Sequence, residues 1–200
     1  MPTRYALVSV YDKTGLETIV AALGKQSIRI IGSGGTAEAI RKAGYEILEV
    51  SDYTGTPEMP GGLVKTLHPK IHAGILGDWT VPEQRKYLDQ QGVHPFDFVI
   101  VNLYPFQDTV RNDPSNLQRA VDNIDIGGVA LIRAAAKGAL LNNRVVPVTS
   151  PQQYDMVRRE LVEKNLIGDK LRQWLAKEAF NVTAEYDKAI RDYLVGRLKQ

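Results

Sequence analysis

The strongest constraint on the fold is an alternation of short apolar runs with helical segments near the start of the chain. Residues 5–10 form a valine-containing apolar run, and a stripe at helical spacing follows it: Leu16, Ile19, Val20 and Leu23. A second apolar run at 27–31 precedes a second helical segment, which Gly44 closes. This order predicts an α/β fold with a mainly parallel sheet.

Local signals extend this pattern along the chain. Thr14 and Glu17 form a predicted capping box, and Gly24 is placed to end the first helix. Further strands are predicted at 46–50, 98–101 and 145–148, the last at a sheet edge because it contains a proline. Helices are predicted at 82–91, 116–121, 127–137 and 151–164, followed by a long C-terminal helix. Its stripe includes Trp174 and Tyr186, which helical spacing explains as core or interface residues.

Composition narrows the class of protein. Two hundred residues with 44% apolar and 24% charged content predict a single domain over 1–200. The absence of cysteine excludes disulfides and a thiol nucleophile. No apolar run has the length of a signal or membrane segment, which predicts a soluble cytoplasmic protein without a membrane partner. A net charge of +2 with dispersed basic residues argues against nucleic acid, so any anion must be bound by local groups.

The turn after the second strand could bind an anion. It contains Ser33, Gly34, Gly35 and Thr36, whose amides and hydroxyls would meet the positive end of a helix. It lacks the lysine of a P-loop and the spacing of a dinucleotide fingerprint, and an ordinary helix cap is the alternative. Lys13 follows the first strand and should lie at the same carboxyl edge, where open parallel sheets bind ligands.

Other loops converge on that edge. Residues 61–76 contain two adjacent glycines with Lys65 and Thr66, which indicates a binding loop, although a plain surface turn also fits. Tyr104 follows the strand at 98–101, and Asp125 precedes a glycine pair at a helix start. Taken singly, Tyr104 could be a rim residue and Asp125 a helix cap. Lys137 could likewise be a favourable charge near a helix C-terminus.

The two histidines of the 61–76 segment do not predict a metal site. His68 and His72 are four residues apart, but Pro69 lies between them and no third ligand is near. The glutamate of the HExxH pattern is also missing. Packing roles are the expected alternative, and no metal is predicted.

Seven segments, in this order, resemble the inosine monophosphate (IMP) cyclohydrolase domain of the bifunctional purine-biosynthesis enzyme. They are residues 9–15, 33–37, 54–58, 64–69, 102–106, 125–128 and 133–137. The resemblance runs from about Tyr5 to Leu194. In that family a larger formyltransferase domain follows, and it is absent from this sequence, so a stand-alone cyclohydrolase or an excised half is expected.

The resemblance implies a methylglyoxal-synthase-like fold, which is a three-layer Rossmann-like sandwich with a mainly parallel sheet, here with C-terminal helices. It also implies a hydrolase that closes 5-formamido-1-(5-phosphoribosyl)imidazole-4-carboxamide to IMP without metal or organic cofactor. The implied catalytic residues are Lys65, Tyr104, Asp125 and Lys137. The implied substrate-binding residues are Ser9, Lys13, Ser33, Gly34, Gly35, Thr36, Thr66, Asn102, Ile126, Gly127 and Gly128. The implied partner is a purine nucleotide; a homodimer and a separate formyltransferase that supplies the substrate stay open.

These residue types suit the chemistry. An ammonium such as Lys65 or Lys137 can stabilise charge on the formyl oxygen during ring closure, and Tyr104 beside a lysine can carry a proton. Asp125 can accept a proton or hold a lysine. The sequence leaves open which lysine donates to the departing water, and Lys65 paired with Tyr104 is the preferred hypothesis. A non-catalytic sensor of a phosphorylated metabolite is the alternative function.

Three positions depart from the family pattern. Leu63 stands where arginine is usual, which removes a charge next to the expected site. Tyr11 replaces a small hydroxyl residue, and Gly138 replaces an asparagine. The loss of the arginine predicts weaker substrate binding or activity.

Overall fold

A computed structural model of the chain describes residues 3–62 and 64–198, so Leu63 lies outside the described residues. Within these ranges the strands are β1 (Tyr5–Val10), β2 (Arg29–Gly32), β3 (Leu48–Glu49), β4 (Phe96–Asn102) and β5 (Val146–Val148). They form one sheet in the order β3-β2-β1-β4-β5, and every neighbouring pair is parallel. The predicted α/β class is therefore confirmed, with the proline-containing β5 at an edge.

Helices connect and flank these strands. Their bounds are α1 (Leu16–Lys25), α2 (Gly34–Lys42), α3 (Val50–Thr54), α4 (Pro69–Leu76), α5 (Pro82–Gln90), α6 (Phe106–Asn112), α7 (Leu117–Asp122), α8 (Gly127–Leu141), α9 (Tyr154–Lys164) and α10 (Asp169–Val195). A 3₁₀ turn at Pro151–Gln153 leads into α9. The predicted third strand is shorter than expected because Val50 already begins α3.

The sheet is covered on both faces. Val8 and Val10 of β1 pack in one buried cluster with residues of α1, α2 and α9, whereas Leu7 packs in the other with residues of α3, α4 and α8. This division follows from the alternation of side chains along a strand. Helix α10 contributes to both clusters, through Leu175 to the first and Ala176 to the second. Burial on two faces explains the nearly continuous apolar character of β1 and β4.

The predicted ends of α1 are wrong. The helix follows Gly15 in the left-handed conformation (φ 68°) without a side-chain cap, so Thr14 and Glu17 form no capping box. Gly24 lies inside α1, and Ser27 takes a left-handed conformation (φ 55°) just beyond its end. No helix in the two described ranges is both long and apolar enough to cross a membrane.

Candidate active site

The carboxyl ends of β1, β2 and β4 open into a cavity of about 470 Å³, a volume typical of small-molecule sites. Its wall comes from the turns that follow these strands and from the segments that precede α4 and α8. The sequence-predicted residues that line it are Ser9, Lys13, Ser33, Gly35, Thr36, Lys65, Thr66, Asn102, Tyr104, Asp125, Ile126, Gly127 and Gly128. The fold therefore brings five separate segments to one edge of the sheet.

The N-terminus of α2 forms one end of the cavity. Ser33 precedes the helix in an extended conformation and makes no capping hydrogen bond to it. Thr36 differs, because its hydroxyl accepts a hydrogen bond from Val10 N–H and donates one to Val10 C=O, both at 3.0 Å. The expectation that both hydroxyls are free to donate to a ligand is thus wrong for Thr36, which fixes α2 to the end of β1.

Two lysines approach this helix end over glycines. The Lys13 ammonium donates a hydrogen bond to Tyr11 C=O at 3.2 Å. If Gly35 carried a Cβ atom, that atom would lie 3.8 Å from the Lys13 ammonium. The Lys65 ammonium would lie 2.8 Å from a Cβ at Gly34, which also has a positive φ of 55°. A side chain at Gly34 would thus be strained and would displace Lys65. Two ammonium groups and a helix N-terminus give this end a positive potential.

Asn102 shapes the turn between β1 and α1. Its Oδ1 accepts hydrogen bonds from Tyr11 N–H at 2.7 Å and Asp12 N–H at 2.9 Å. Its Nδ2 donates to Asp12 C=O at 2.8 Å. Since the carboxamide oxygen is held by two amides, one hydrogen of Nδ2 is the group left for a ligand.

Tyr104 and Asp125 line the same cavity. The Tyr104 ring meets Tyr11 edge to face, with centroids 5.3 Å apart. Asp125 Oδ1 accepts a hydrogen bond from Gly128 N–H at 2.7 Å, so this residue caps α8 as well as lining the cavity. Burial raises the pKa of the Asp125 carboxyl above its ordinary value of 3.8, while backbone hydrogen bonds from Gly128 and Tyr104 act in the opposite direction.

The glycine pair at the start of α8 allows close packing. A Cβ at Gly128 would lie 2.6 Å from Asp125 Oδ2, and one at Gly127 would lie 3.1 Å from Thr66 Oγ1. Any larger residue at Gly128 would therefore move the carboxylate.

Comparisons with known proteins agree with this geometry. Residues 15–130, more than half of the chain, match the family described as "MGS-like domain". The chain belongs to the MGS-like domain family. Residues 135–200 match the family described as "AICARFT/IMPCHase bienzyme". The two matches meet inside α8, which runs without interruption from Gly127 to Leu141.

Relatives of this MGS-like domain include two named "Bifunctional purine biosynthesis protein PurH". The protein of Rippkaea orientalis is 45% identical over 195 residues, and that of Persephonella marina is 46% identical over 191. Each alignment covers 96% of this chain but only 37% and 36% of the relative, so the chain spans little more than a third of their length. The resemblance to the purine-biosynthesis bienzyme is confirmed.

A solved structure gives the same architecture. "Crystal structure of ForH" superimposes on this MGS-like domain with a TM-score of 0.82 at 28% sequence identity. The superposition covers 96% of this chain and all of the other.

Lys137 lies outside the cavity of the MGS-like domain. It stands near the other end of α8, about 15 Å along the helix axis from Gly127. There it lines a separate, largely apolar pocket with Arg133, Leu140 and Phe180. The expectation that its ammonium joins Lys65, Tyr104 and Asp125 is therefore wrong within a single chain. Gly34 does not line the cavity either, although it lies directly beneath Lys65.

Several functional neighbours were not predicted. Glu58 pairs with Lys65, its Oε2 lying 3.2 Å from Nζ. Tyr11, Asp122 and Ile124 also line the cavity. Glu58 was part of a recognised motif, but sequence gave no sign of its partner because the intervening loop has no regular periodicity. Tyr11 was noted only as a departure from the family.

The histidines of the MGS-like domain have structural roles. His68 precedes α4, and its Nδ1 accepts a hydrogen bond from Lys70 N–H at 3.1 Å. Burial lowers the pKa of His72, which favours its neutral form. Across residues 3–62 and 64–198, no group of three or more His, Asp or Glu side chains could hold a metal ion.

Proposed function

We propose that this chain is an IMP cyclohydrolase of the cyclic amidine hydrolase class, which carries out the last step of de novo purine biosynthesis. The observation that supports this most is a single cavity lined by the α2 N-terminus, two lysines, the Tyr104 phenol and the Asp125 carboxyl, whose pKa burial raises. The name of the two relatives, bifunctional purine biosynthesis protein, supports the same function. We propose that residues 1–200 act as one cyclohydrolase domain that needs no metal or organic cofactor.

The 5′-phosphate of the substrate would bind at the α2 N-terminus. The first-turn amides of α2, which have no partner within a helix, the Ser33 hydroxyl and the Lys13 ammonium would supply donors and positive charge there. Lys65 would lie between the phosphate and the ring. Further proposed contacts come from Ser9, Thr66, Asn102, Ile126, Gly127 and Gly128. The imidazole would then face Tyr104 and Asp125.

Ring closure joins two groups of the same molecule. The carboxamide nitrogen attacks the formyl carbon and a C–N bond forms. The formyl oxygen takes up two protons, one lost by the carboxamide nitrogen and one by the formamido nitrogen, and leaves as water as the C–O bond breaks and a C=N bond forms to the formamido nitrogen. Holding the substrate folded supplies much of the acceleration. The Lys65 ammonium would stabilise charge on the oxygen, and Tyr104 and Asp125 would move the protons.

The proposed substrate carries a formyl group, so a formyl-transfer reaction must precede this one. A formyltransferase would be the functional partner, whether on a separate chain or elsewhere in the same protein. A homodimer stays a prediction.

The direct test mixes the purified protein with the formamido nucleotide and follows IMP by ultraviolet absorbance. We expect product formation well above the uncatalysed rate. Titration calorimetry with IMP runs in parallel. Nucleotide binding without product would select the non-catalytic sensor instead.

Two substitutions test the proposed residues. Lys65→Ala and Tyr104→Phe should each lower kcat by about 10²-fold, a typical loss for a proton-transfer or charge-stabilising group. Matched controls are Lys86→Ala and Tyr87→Phe on α5, both exposed and outside the cavity. Wild-type turnover in either site variant would refute the role given to that residue.

A further inference from the structure

The segment that carries Asp125 is held by a tyrosine from the C-terminal helix. Tyr186 of α10 is 8% exposed, and its hydroxyl accepts a hydrogen bond from Asp125 N–H at 2.9 Å. The same hydroxyl donates to Asn123 C=O at 3.0 Å. One side-chain oxygen thereby fixes the backbone on both sides of Ile124.

The ring of Tyr186 also supports the segment that carries Tyr104. It meets the Phe106 ring edge to face, with centroids 6.2 Å apart. Phe106 N–H in turn donates to Tyr104 C=O at 2.8 Å. These side chains belong to a small buried cluster separate from the two sheet clusters, and Leu103 and Ile124 pack against it.

Asp125 is therefore fixed from two directions. Its N–H is bound by the Tyr186 hydroxyl, and its Oδ1 is bound by Gly128 N–H. The first bond sets where the backbone of Asp125 lies, and the second sets how its carboxylate turns into the cavity. Without the phenol, the N–H of Asp125 and the C=O of Asn123 would both lose their partner in a partly buried environment.

We propose that Tyr186 is a positioning residue of this site, whose hydroxyl holds the Asn123–Asp125 backbone so that the Asp125 carboxylate faces the bound ring. The kinetic part of this inference rests on the proposed cyclohydrolase function. The structural part does not. Both Tyr104 and Asp125 depend on this one side chain, which links α10 to the cavity without lining it.

Tyr186→Phe tests the inference because it removes the hydroxyl and keeps the ring. We expect the Asp125 amide to exchange its hydrogen about tenfold faster by NMR, because the N–H loses its partner. We expect kcat to fall about tenfold or more with KM changed less than about threefold, because a small displacement of a reacting group costs turnover more than binding.

Tyr193→Phe is the matched control. Tyr193 lies on the same helix and its ring also meets Phe106, at 5.8 Å, but its hydroxyl donates to Pro114 C=O at 3.2 Å, outside the site. Its kcat and its Asp125 exchange rate should equal those of the wild type. Thermal unfolding of both variants reports any general loosening of α10.

The outcomes separate the two proposals. Unchanged Asp125 exchange in Tyr186→Phe would overturn the inference, as would unchanged kcat in an active enzyme or an equal loss of kcat in Tyr193→Phe. If the wild type forms no IMP, the cyclohydrolase function fails. In that case, faster exchange of the Asp125 amide in Tyr186→Phe alone would still support the positioning role. The same exchange rate in Tyr186→Phe and the wild type would refute it.

Discussion

The hydroxyl residues of this cavity differ in whether another group of the protein already binds their hydroxyl. Thr36 and Ser33 are both buried hydroxyl residues at the start of α2, yet the Thr36 hydroxyl is bonded to Val10 and Ser33 makes no cap. Asn102 is similarly held by the β1–α1 turn. A ligand at this end therefore depends on Ser33, the lysines and the backbone amides more than on Thr36.

Asp125 should give the reaction a pH dependence. Burial raises its pKa above 3.8, whereas the neighbouring Tyr186 has a pKa raised to about 12 and stays protonated. The other ionisable groups among the described residues that line the cavity are Tyr11, Lys13, Lys65, Tyr104 and Asp122. Because only the carboxylate accepts a proton, kcat/KM should rise with pH through the raised pKa of Asp125.

Asp125→Asn checks this assignment. The substitution should lower kcat by about 10²-fold or more and should abolish the rise of kcat/KM with pH at the acid end of the profile (the acid limb). The measurement is kcat and kcat/KM as functions of pH. The contribution of Asp125 to stability, measured as the difference between the wild type and Asp125→Asn, should fall as pH rises between the ordinary and the raised pKa, because the folded state holds this proton longer than the unfolded state does. An acid limb that persists in Asp125→Asn would assign the ionisation to another group.

The sequence predicted which residues meet but not how each is used. Glycines, lysines and the sheet edge were readable because strand order and loop position follow from periodicity. The hydrogen bonds of Thr36 and Tyr186 were not, because they join segments far apart in the chain. The Glu58–Lys65 pair was not, because the loop between the two residues has no regular periodicity. Lys137 was misplaced because its helix carries it away from the edge where α8 begins.

At the scale of elements, one buried side chain hydrogen-bonds the α2 N-terminus to the end of β1. Thr36→Val should lower the free energy of unfolding by about 1–3 kcal/mol, because Val10 N–H and C=O lose a buried partner. It should also weaken inorganic phosphate binding, because the helix end is no longer fixed to β1. Chemical denaturation and phosphate titration measure the two effects. A stability loss with unchanged phosphate affinity would show that α2 does not bind the anion.

The elements that the sequence failed to predict are mainly short helices. Helices α3, α4 and α6 have five to eight residues, too few to show a repeating apolar stripe. For α4 the signals were present but local: Pro69 occupies its first turn, and His68 caps it. The longer helices α8, α9 and α10 were predicted. For α10 the signal was an apolar stripe that extends over several turns, for α8 an apolar, alanine-rich composition, and for α9 a charged segment that follows Pro151.

At the scale of the whole molecule, the carboxyl and amino ends of the strands have different roles. The carboxyl edge holds the cavity. Near the amino end of β4, the half-buried Arg144 donates to Phe96 C=O at 2.6 Å and to Gly74 and Gly77 C=O at 3.1 and 3.2 Å. Its guanidinium also lies 4.8 Å from the Trp79 ring. This one side chain joins the end of α4 to the sheet.

Arg144→Met should therefore lower stability without changing the site. Losing the guanidinium leaves several carbonyls unpaired, so we expect a loss of about 2 kcal/mol and a fall in Tm of about 4–8 °C. The control Arg85→Met removes an exposed α5 arginine paired with Asp89 at 3.7 Å and should change stability by less than about 0.5 kcal/mol. At a temperature where each variant is folded, KM for the nucleotide should match the wild type. A raised KM with an unchanged Tm would mean that the amino end of β4 is coupled to the cavity, since α4 follows directly on the segment that carries Lys65.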